Sequence, residues 1–227
     1  MKCSLLLFLL LLLFFFIIFS STSKLSGAAS IVRTIAVDPN HKGDFTSIQE
    51  AIDSIPNNNT HWIKIHVAAG VYRFVIAGAP QNTYDGSVNI RQALAAAISG
   101  DKSSFYNCSF IGFQDTLFDR KGRHYFKDCY IEGVMDFIFG NGQSIYEGCT
   151  ISLIRSAMKP GFMTAQGRGS PKDPGGFVFK SCNVTGFQET YLGRAWGAYS
   201  RVIFYRTFMS GIIIPQGWYA WNAIGHE

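Results

Sequence analysis

A short internal repeat centred on cysteine constrains the fold more than any other feature of the sequence. Four segments share the pattern aromatic-x-x-Cys-x-apolar, where x is any residue: Phe105–Phe110, Phe126–Ile131, Tyr146–Ile151 and Phe179–Val184. Successive cysteines are 21, 20 and 33 residues apart, so we expect a loop insertion in the third period. A period of about 20 residues is typical of a solenoid, in which each repeat packs on its neighbours.

The pattern inside each period predicts short strands. Apolar residues alternate with other residues, as in Phe177-x-Phe179, and glycines recur where the chain must bend. We therefore predict an all-β protein, a right-handed parallel β-helix. Equivalent residues of adjacent rungs would lie about 4.8 Å apart, so the cysteines would form an inward-facing ladder, either as free thiols or with one or two disulfides: Cys108, Cys129, Cys149 and Cys182.

The first residues have the composition of a targeting segment. Leu5–Phe19 is an unbroken run of Leu, Phe and Ile preceded by Lys2. The run is short for a membrane span, which needs about 20 residues. We predict a signal peptide over residues 1–30, with an uncleaved anchor as the alternative, and a secreted domain over residues 31–227. Three sequons are candidates for N-glycosylation: Asn58, Asn107 and Asn183.

Between the predicted leader and the repeat, the pattern predicts one helix and one strand. Asp44 precedes apolar residues at helical spacing, so we predict an amphipathic helix that is N-capped by Asp44 and ends before Pro56. This helix would cap the open end of the solenoid. Trp62–Val67 alternates like a strand, and Arg201–Tyr205 predicts another strand further along.

Charge and residue spacing exclude several classes of function. The formal net charge is +5 and the sequence has no run of Lys or Arg, which argues against nucleic acid and is compatible with an extracellular polyanion. The five histidines lack metal-ligand spacing, and neither a Gly-x-Ser-x-Gly elbow nor a phosphate-binding loop occurs. These absences argue against serine-hydrolase, zinc-hydrolase and nucleotide chemistry.

The repeat brings two carboxylates together. Asp115 and Asp136 each follow a cysteine of the repeat by seven residues, so they occupy equivalent positions on adjacent rungs. Two carboxylates about 5 Å apart cannot both ionise cheaply, and such a pair supplies an acid beside a carboxylate at mild pH. The alternative is that both are ordinary turn residues, although each lies among apolar neighbours.

Other polar residues could complete such a site. The amides of Gln92 and Gln114 could bind an oxyanion, but Gln114 would point away from Asp115 in an ideal strand unless the chain bends there. Arg194 could clamp a carboxylate, or serve only the structure. Glu189 also follows its cysteine by seven residues, in a segment that echoes the surroundings of Asp115, and we rank it below the two aspartates.

Several aromatic residues could stack on sugar rings, although core packing is the default role for each of them. These residues are Phe118, Trp196, Trp218 and Trp221.

Three segments resemble the signatures of plant pectinesterases (pectin methylesterases): Gly112–Leu117, Asp136–Gly140 and Leu192–Trp196. The resemblance implies a right-handed parallel β-helix that hydrolyses methyl esters of homogalacturonan to pectate and methanol, in cell wall modification. It implies no cofactor, a monomer in the cell wall, and a proteinaceous inhibitor as a further partner.

The resemblance also implies a role for each site residue. Asp136 would be the nucleophile and Asp115 the acid and then the base. Gln92 and Gln114 would form the oxyanion hole, and Arg194 would orient Asp136. The galacturonate groove would be lined by Arg194 and four aromatic residues: Phe118, Phe137, Trp196 and Trp218.

The sequence departs from the family pattern in two places. Early coils that normally follow the segment Gly70–Tyr72 are missing, so the domain is predicted to be shortened near residues 74–81, and the sequence stops at Glu227 where the family usually continues. The alternative function is therefore a catalytically impaired isoform that only binds pectin. Another polysaccharide enzyme, a lyase or glycosidase, fits less well because the acidic clusters that bind calcium in lyases are missing.

Overall fold

The computed structural model describes residues 30–70, 72 and 92–224. The chain divides after Tyr72 into two compact units. The predicted signal peptide over residues 1–29 and the predicted shortening near residues 74–81 lie outside the described residues, and the single domain over residues 31–227 stays a prediction. None of the helices in the described ranges is long and apolar enough to cross a membrane.

The first unit contains two parallel strands and one short helix: β1 (Ile31–Val37), α1 (Ile48–Asp53) and β2 (Trp62–Val67). Strand β2 has the predicted bounds. Ile35, Val37 and Ala51 are fully or almost fully buried and form the small core of this unit.

The helix begins later than predicted, because Ser47 and not Asp44 is its N-cap. The Ser47 hydroxyl accepts a hydrogen bond from the Glu50 amide at 3.2 Å, which satisfies one of the free N–H groups of the first turn. The Asp44 carboxylate instead accepts a hydrogen bond from the Ala36 amide at 2.8 Å. The helix ends at Asp53, before Pro56, as predicted.

The second unit is built from three parallel sheets. The first sheet contains β4 (Ser103–Tyr106), β7 (Arg123–Lys127), β10 (Gln143–Glu147), β13 (Gly176–Lys180) and β16 (Val202–Tyr205). The second contains β5 (Ser109–Ile111), β8 (Tyr130–Gly133), β11 (Thr150–Leu153), β14 (Asn183–Gly186) and β17 (Phe208–Met209). The third contains β3 (Ala96–Ile98), β6 (Leu117–Asp119), β9 (Met135–Gly140), β12 (Gly161–Gln166), β15 (Thr190–Arg194) and β18 (Trp218–Tyr219). Each rung contributes one strand to each sheet, which confirms the predicted right-handed parallel β-helix.

Equivalent residues of the repeat stack through the core. The aromatic residues that open the cysteine pattern lie ring on ring, with centroids 5.0 Å apart between Phe105 and Phe126 and 4.6 Å apart between Phe126 and Tyr146. The four cysteines form the predicted inward ladder, with Cys129, Cys149 and Cys182 buried, and all four are free thiols: Cys108, Cys129, Cys149 and Cys182. Stacked side chains from equivalent positions thus fix the register of the rungs.

The residue before each cysteine makes the turn from the first sheet to the second. Asn107, Asp128 and Ser181 all have a φ of 53°, and Gly148 has a φ of 64°. Asn, Asp and Gly tolerate this left-handed conformation better than other residues do. The repeat therefore specifies both the turn and the buried thiol that follows it.

The extra residues of the third period form two loops on either side of β12, over residues 154–160 and 167–175. The Arg168 guanidinium holds the second loop by donating to the carbonyl oxygens of Asp173 and Pro171 at 2.8 and 2.7 Å. Both loops therefore border the third sheet, which carries the aspartates.

Candidate active site

Asp115 and Asp136 are neighbours on consecutive rungs. Asp115 lies two residues before β6, and Asp136 is the second residue of β9. A parallel bridge between Gln114 and Met135 aligns the residues directly before them. The two carboxylates therefore lie side by side at the start of adjacent strands of the third sheet, as the 21-residue spacing predicts.

Both aspartates have an unusual backbone conformation. The φ of Asp115 is 61° and that of Asp136 is 47°, in the left-handed region. A change into this region breaks the alternation of side chains along a strand, which supplies the bend that Gln114 and Asp115 need to serve one site. Non-glycine residues in this region are uncommon and often mark functional sites.

Arg194 binds the Asp136 carboxylate with two nitrogens. Its Nε lies 2.9 Å from Oδ1 and its Nη2 lies 2.5 Å from Oδ2. Arg194 ends β15, two strands from β9 in the third sheet, and Asp136 is only 6% exposed. Burial raises the pKa of Asp136 above its usual range, and the hydrogen bonds and charge of Arg194 oppose that rise. The arginine therefore favours the ionised form of a buried carboxylate.

Two aromatic rings face the Arg194 guanidinium. The Cζ atom lies 3.9 Å from the centroid of the Trp221 ring and 4.7 Å from that of the Phe162 ring. The sequence indicated Trp221 only as an aromatic residue near a loop and gave no signal for Phe162. Neither contact was predictable, because the partners lie on different rungs and their separations are not multiples of the period.

Asp115 has a raised pKa, as expected of an acid. Burial raises the pKa of Asp115 to about 6, and the negative charge of Asp136 adds to that rise. Arg194 and a hydrogen bond from the Gln92 side chain act in the opposite direction. Gln92 and Gln114 lie on consecutive rungs, joined by a parallel bridge. The structure thus brings together the five polar residues proposed from sequence: Gln92, Gln114, Asp115, Asp136 and Arg194.

Phe118, Phe139 and Trp196 form an aromatic wall beside the C-terminal ends of β6 and β9 in the third sheet. Phe118 stacks on Phe139 with centroids 4.5 Å apart, and Phe139 lies 6.0 Å from the ring of Trp196. Trp196 is 52% exposed, and its ring lies so close to Gly167 that a Cβ atom there would approach it to 2.9 Å. Phe139 was missed from the sequence, although its distance of 21 residues from Phe118 could have revealed it.

Phe137 was predicted to line the groove, and this prediction is wrong. Its side chain is completely buried and packs against Gly133, where an added Cβ atom would lie 2.2 Å from the Phe137 Cβ. The prediction rested on the resemblance alone, and the left-handed Asp136 interrupts the side-chain alternation of β9, so that the consecutive residues Phe137 and Ile138 are both buried. Phe137 therefore belongs to the core, whereas Phe139 faces outward.

The remaining candidates lie at the surface. Trp218 was also predicted to line the groove, but its 42% exposed ring lies 6.2 Å from that of Phe204, which packs against the core, and so it lies apart from the aromatic wall. Glu189 is exposed, and the neighbouring Gln188 holds the loop over residues 154–160 through the Ser156 amide at 2.8 Å. The three predicted glycosylation sites are exposed: Asn58, Asn107 and Asn183. Within residues 30–70, 72 and 92–224, no group of three or more His, Cys, Asp or Glu could hold a metal ion.

Known proteins are similar to this chain in sequence and in fold. The family model described as Pectinesterase matches residues 81–226. "Probable pectinesterase 29" and "Probable pectinesterase 55" of Arabidopsis thaliana are 41% and 42% identical to the chain, over 85% of its length and 74% and 75% of theirs.

Among solved structures, a pectin methylesterase from carrot superimposes with a TM-score of 0.69 at 26% identity, over 87% of this chain and 79% of the carrot chain. The pectin methylesterase from Aspergillus niger gives a TM-score of 0.65 at 26% identity, over 85% of this chain and 81% of the other. The chain is therefore a member of the pectinesterase family.

Proposed function

We propose that the chain is a pectin methylesterase, which hydrolyses methyl esters of homogalacturonan to pectate and methanol during cell wall modification. One observation carries the proposal. A buried carboxylate bound by Arg194 lies beside a second carboxyl group with a pKa of about 6. An ester hydrolase that forms a covalent intermediate needs this combination of a nucleophile and an acid.

In the first step, an Asp136 oxygen attacks the ester carbonyl and a tetrahedral oxyanion forms. The side-chain amides of Gln92 and Gln114 are suited to donate hydrogen bonds to this oxyanion. The intermediate then collapses, the bond to the methoxy oxygen breaks, and protonated Asp115 gives its proton to that oxygen so that methanol leaves. The product is a mixed anhydride between the galacturonate and Asp136.

In the second step, Asp115 acts as a base. Its carboxylate takes a proton from a water molecule while the water oxygen attacks the galacturonate carbonyl carbon. The anhydride bond breaks, pectate leaves, and Asp136 returns to the carboxylate form that Arg194 stabilises. Asp115 is protonated again, so the residue is ready for the next ester.

The aromatic wall of Phe118, Phe139 and Trp196 supports a polysaccharide substrate. The exposed ring of Trp196 and the half-buried rings of Phe118 and Phe139 offer flat apolar faces for sugar rings beside a polar site. The formal net charge of +5 favours an acidic polymer. Methyl-esterified homogalacturonan combines the sugar, the carboxylates and the methyl ester.

Several further properties belong to the same proposal. The chain is secreted into the cell wall after removal of its signal peptide, acts as a monomer, and carries glycans at exposed sequons. A proteinaceous inhibitor is a further partner. The alignment with "Probable pectinesterase 29" spans 248 positions, more than the 227 residues of this chain, which supports a domain shortened in its interior.

The test is methanol release from highly methylated pectin by the purified secreted chain, with the Asp136→Asn variant as the blank. The proposal predicts methanol from the wild type only, with an equal number of new carboxylates in the polymer. A folded wild-type chain that binds pectin and releases no methanol would instead establish the impaired isoform. Unsaturated sugar ends without methanol would establish a lyase.

A further inference from the structure

We infer that Trp221 is a positioning residue for the pair formed by Arg194 and Asp136. Its indole ring would hold the guanidinium in the orientation in which two nitrogens bind the carboxylate. The inference rests on the esterase function proposed above, since it concerns the same site. Trp221 lies outside the three family-like segments of the sequence, and it acts here through Arg194 without touching the reacting ester.

The Arg194 guanidinium makes two kinds of contact, hydrogen bonds to Asp136 and contacts with aromatic rings. The edge with Nε and Nη2 binds the two Asp136 oxygens. The Cζ atom lies over the Trp221 ring, 3.9 Å from its centroid, and over the Phe162 ring at 4.7 Å. Tryptophan is the aromatic residue that attracts a cation most strongly. The ring therefore adds a contact without competing for the hydrogen bonds to Asp136.

The backbone of Trp221 supports a role in positioning. Its φ is 52°, and a bulky residue in this left-handed region is a rare outlier. The turn that contains Trp221 is closed by a hydrogen bond from the Ala223 amide to the Ala220 carbonyl oxygen at 2.8 Å. A glycine would adopt this turn without strain. The large ring at this position therefore has a use that outweighs its backbone cost.

Covering the guanidinium should strengthen its hold on Asp136. The Arg194 side chain is only 16% exposed, and a charge pair attracts more strongly where water is excluded. Without the indole ring, Arg194 would gain water and rotational freedom. Because burial already raises the pKa of Asp136, a weaker hold by Arg194 would let that pKa rise further. Less of the nucleophile would then be ionised at acidic pH.

The experiment compares Trp221→Leu and Trp221→Phe with a matched control outside the site. Tyr205 offers the control, because its exposed ring faces Arg206 with its centroid 5.2 Å from Cζ, on the first sheet. For Trp221→Leu we expect kcat to fall about tenfold with KM changed less than about twofold. The acidic limb of the pH profile of kcat should move up by about half to one unit. Trp221→Phe should retain most of the wild-type kcat, because it keeps an aromatic ring. Tyr205→Leu should match the wild type.

Two results would overturn the inference. A raised KM with an unmoved acidic limb would make Trp221 a substrate contact. A loss of kcat in Trp221→Phe equal to that in Trp221→Leu, in proteins with native circular dichroism, would also contradict it, because the ring would then not matter. If Trp221→Leu fails to fold, the Phe variant and the wild type still provide the comparison.

A second readout separates this inference from the esterase proposal. Nuclear magnetic resonance can follow the exchange of the Arg194 Nε–H and the titration of the Asp136 carboxyl carbon without any substrate. Trp221→Leu should give faster exchange and a higher titration midpoint than the wild type. Unchanged values would refute the positioning role even in an active enzyme. Changed values in a chain that releases no methanol would support it while the esterase proposal fails.

Discussion

Asp115 and Asp136 occupy equivalent places on consecutive rungs, and their surroundings give them different chemistry. Both have a left-handed backbone, and both lie within two residues of the start of a strand of the third sheet. Asp136 is buried and bound by Arg194, whereas Asp115 is half-buried, receives a hydrogen bond from Gln92 and faces the negative charge of Asp136. The repeat thus places the carboxylates, and side chains from other rungs give the two carboxyl groups different surroundings.

A third copy of the pattern shows what happens without those partners. Gly186–Thr190 repeats the sequence around Asp115 with Glu189 at the position of the aspartate. Glu189 is exposed, and Gln188 uses its side chain to hold a loop, accepting from the Ser156 amide and donating to the Met158 carbonyl oxygen at 3.1 Å. A matching local sequence therefore does not make a site by itself.

The largest effect should come from replacing the nucleophile. Asp136→Asn keeps the volume of the side chain and removes the charge that attacks the ester, so we expect kcat/KM for methanol release to fall at least about 10,000-fold. The thermal unfolding midpoint should fall, since the variant leaves the mostly buried Arg194 guanidinium without its ion-pair partner, and circular dichroism should stay native. Activity within about tenfold of the wild type would exclude Asp136 as the nucleophile.

Asp115→Asn should have the next largest effect, because it removes the acid and base but leaves the nucleophile. We expect a loss of about 1,000-fold in kcat, within the range of general acid–base catalysis. The wild type needs protonated Asp115 in the first step, so its activity should decline above pH of about 6, where Asp115 ionises. The residual activity of the variant should lack this decline, and an unchanged alkaline limb would assign it to another group.

Arg194→Lys tests whether the charge alone is enough. Lysine keeps the positive charge but cannot bind both carboxylate oxygens with a planar fork, so we expect a loss of about 100-fold in kcat. The pKa of Asp136 should rise, which moves the acidic limb of the profile to higher pH. Full activity in this variant would show that the two-point contact is dispensable.

The raised pKa of Asp115 also predicts a change in stability with pH. The folded pKa is about 6, and the unfolded value is about 3.9. The folded state therefore binds more protons than the unfolded state between these values, so the contribution of Asp115 to the free energy of unfolding falls as pH rises through this window. Asp115→Asn lacks this loss and should gain stability relative to the wild type from pH 4 to 6. Urea unfolding at several pH values measures the difference, and a constant difference would contradict the raised pKa.

The smallest effect should come from replacing Glu189 in the third copy of the pattern, Gly186–Thr190. Glu189→Gln changes an exposed residue that lies apart from the carboxylate pair, so we expect kcat and KM within about twofold of the wild type. This variant is the matched control for both aspartate substitutions. A loss comparable to that of Asp115→Asn would mean that sequence similarity, not the surrounding partners, identifies the site.

The period predicted most of the fold because each rung repeats the same physical pattern. The stacked Phe105, Phe126 and Tyr146, the inward cysteines and the pairing of the two aspartates all follow from spacing alone. Predictions failed for individual residues whose local contacts the period does not describe. Ser47, not Asp44, caps the helix, and Phe137, which was assigned to the groove from the resemblance, lies in the core after the left-handed Asp136.

Side-chain contacts that do not follow the period of the repeat were harder to predict than the rungs themselves. The contacts of Arg194 with Phe162 and Trp221 join residues whose separations are unrelated to the repeat, so no spacing rule could identify them. Phe139 could have been found from its distance to Phe118, because both lie in the third sheet on adjacent rungs. Sequence periodicity thus predicts stacking along the solenoid better than contacts through loops and insertions.

The most direct test of the different roles of the two aspartates is the titration of both carboxyl carbons by nuclear magnetic resonance, in the wild type and in Asp136→Asn. In the wild type, Asp115 should titrate near pH 6 and Asp136 at lower pH, because Arg194 binds Asp136 alone through hydrogen bonds. In Asp136→Asn the midpoint of Asp115 should fall, since the neighbouring negative charge is gone. A midpoint of Asp115 that is ordinary in the wild type, or unmoved in the variant, would contradict the division of roles between the two rungs.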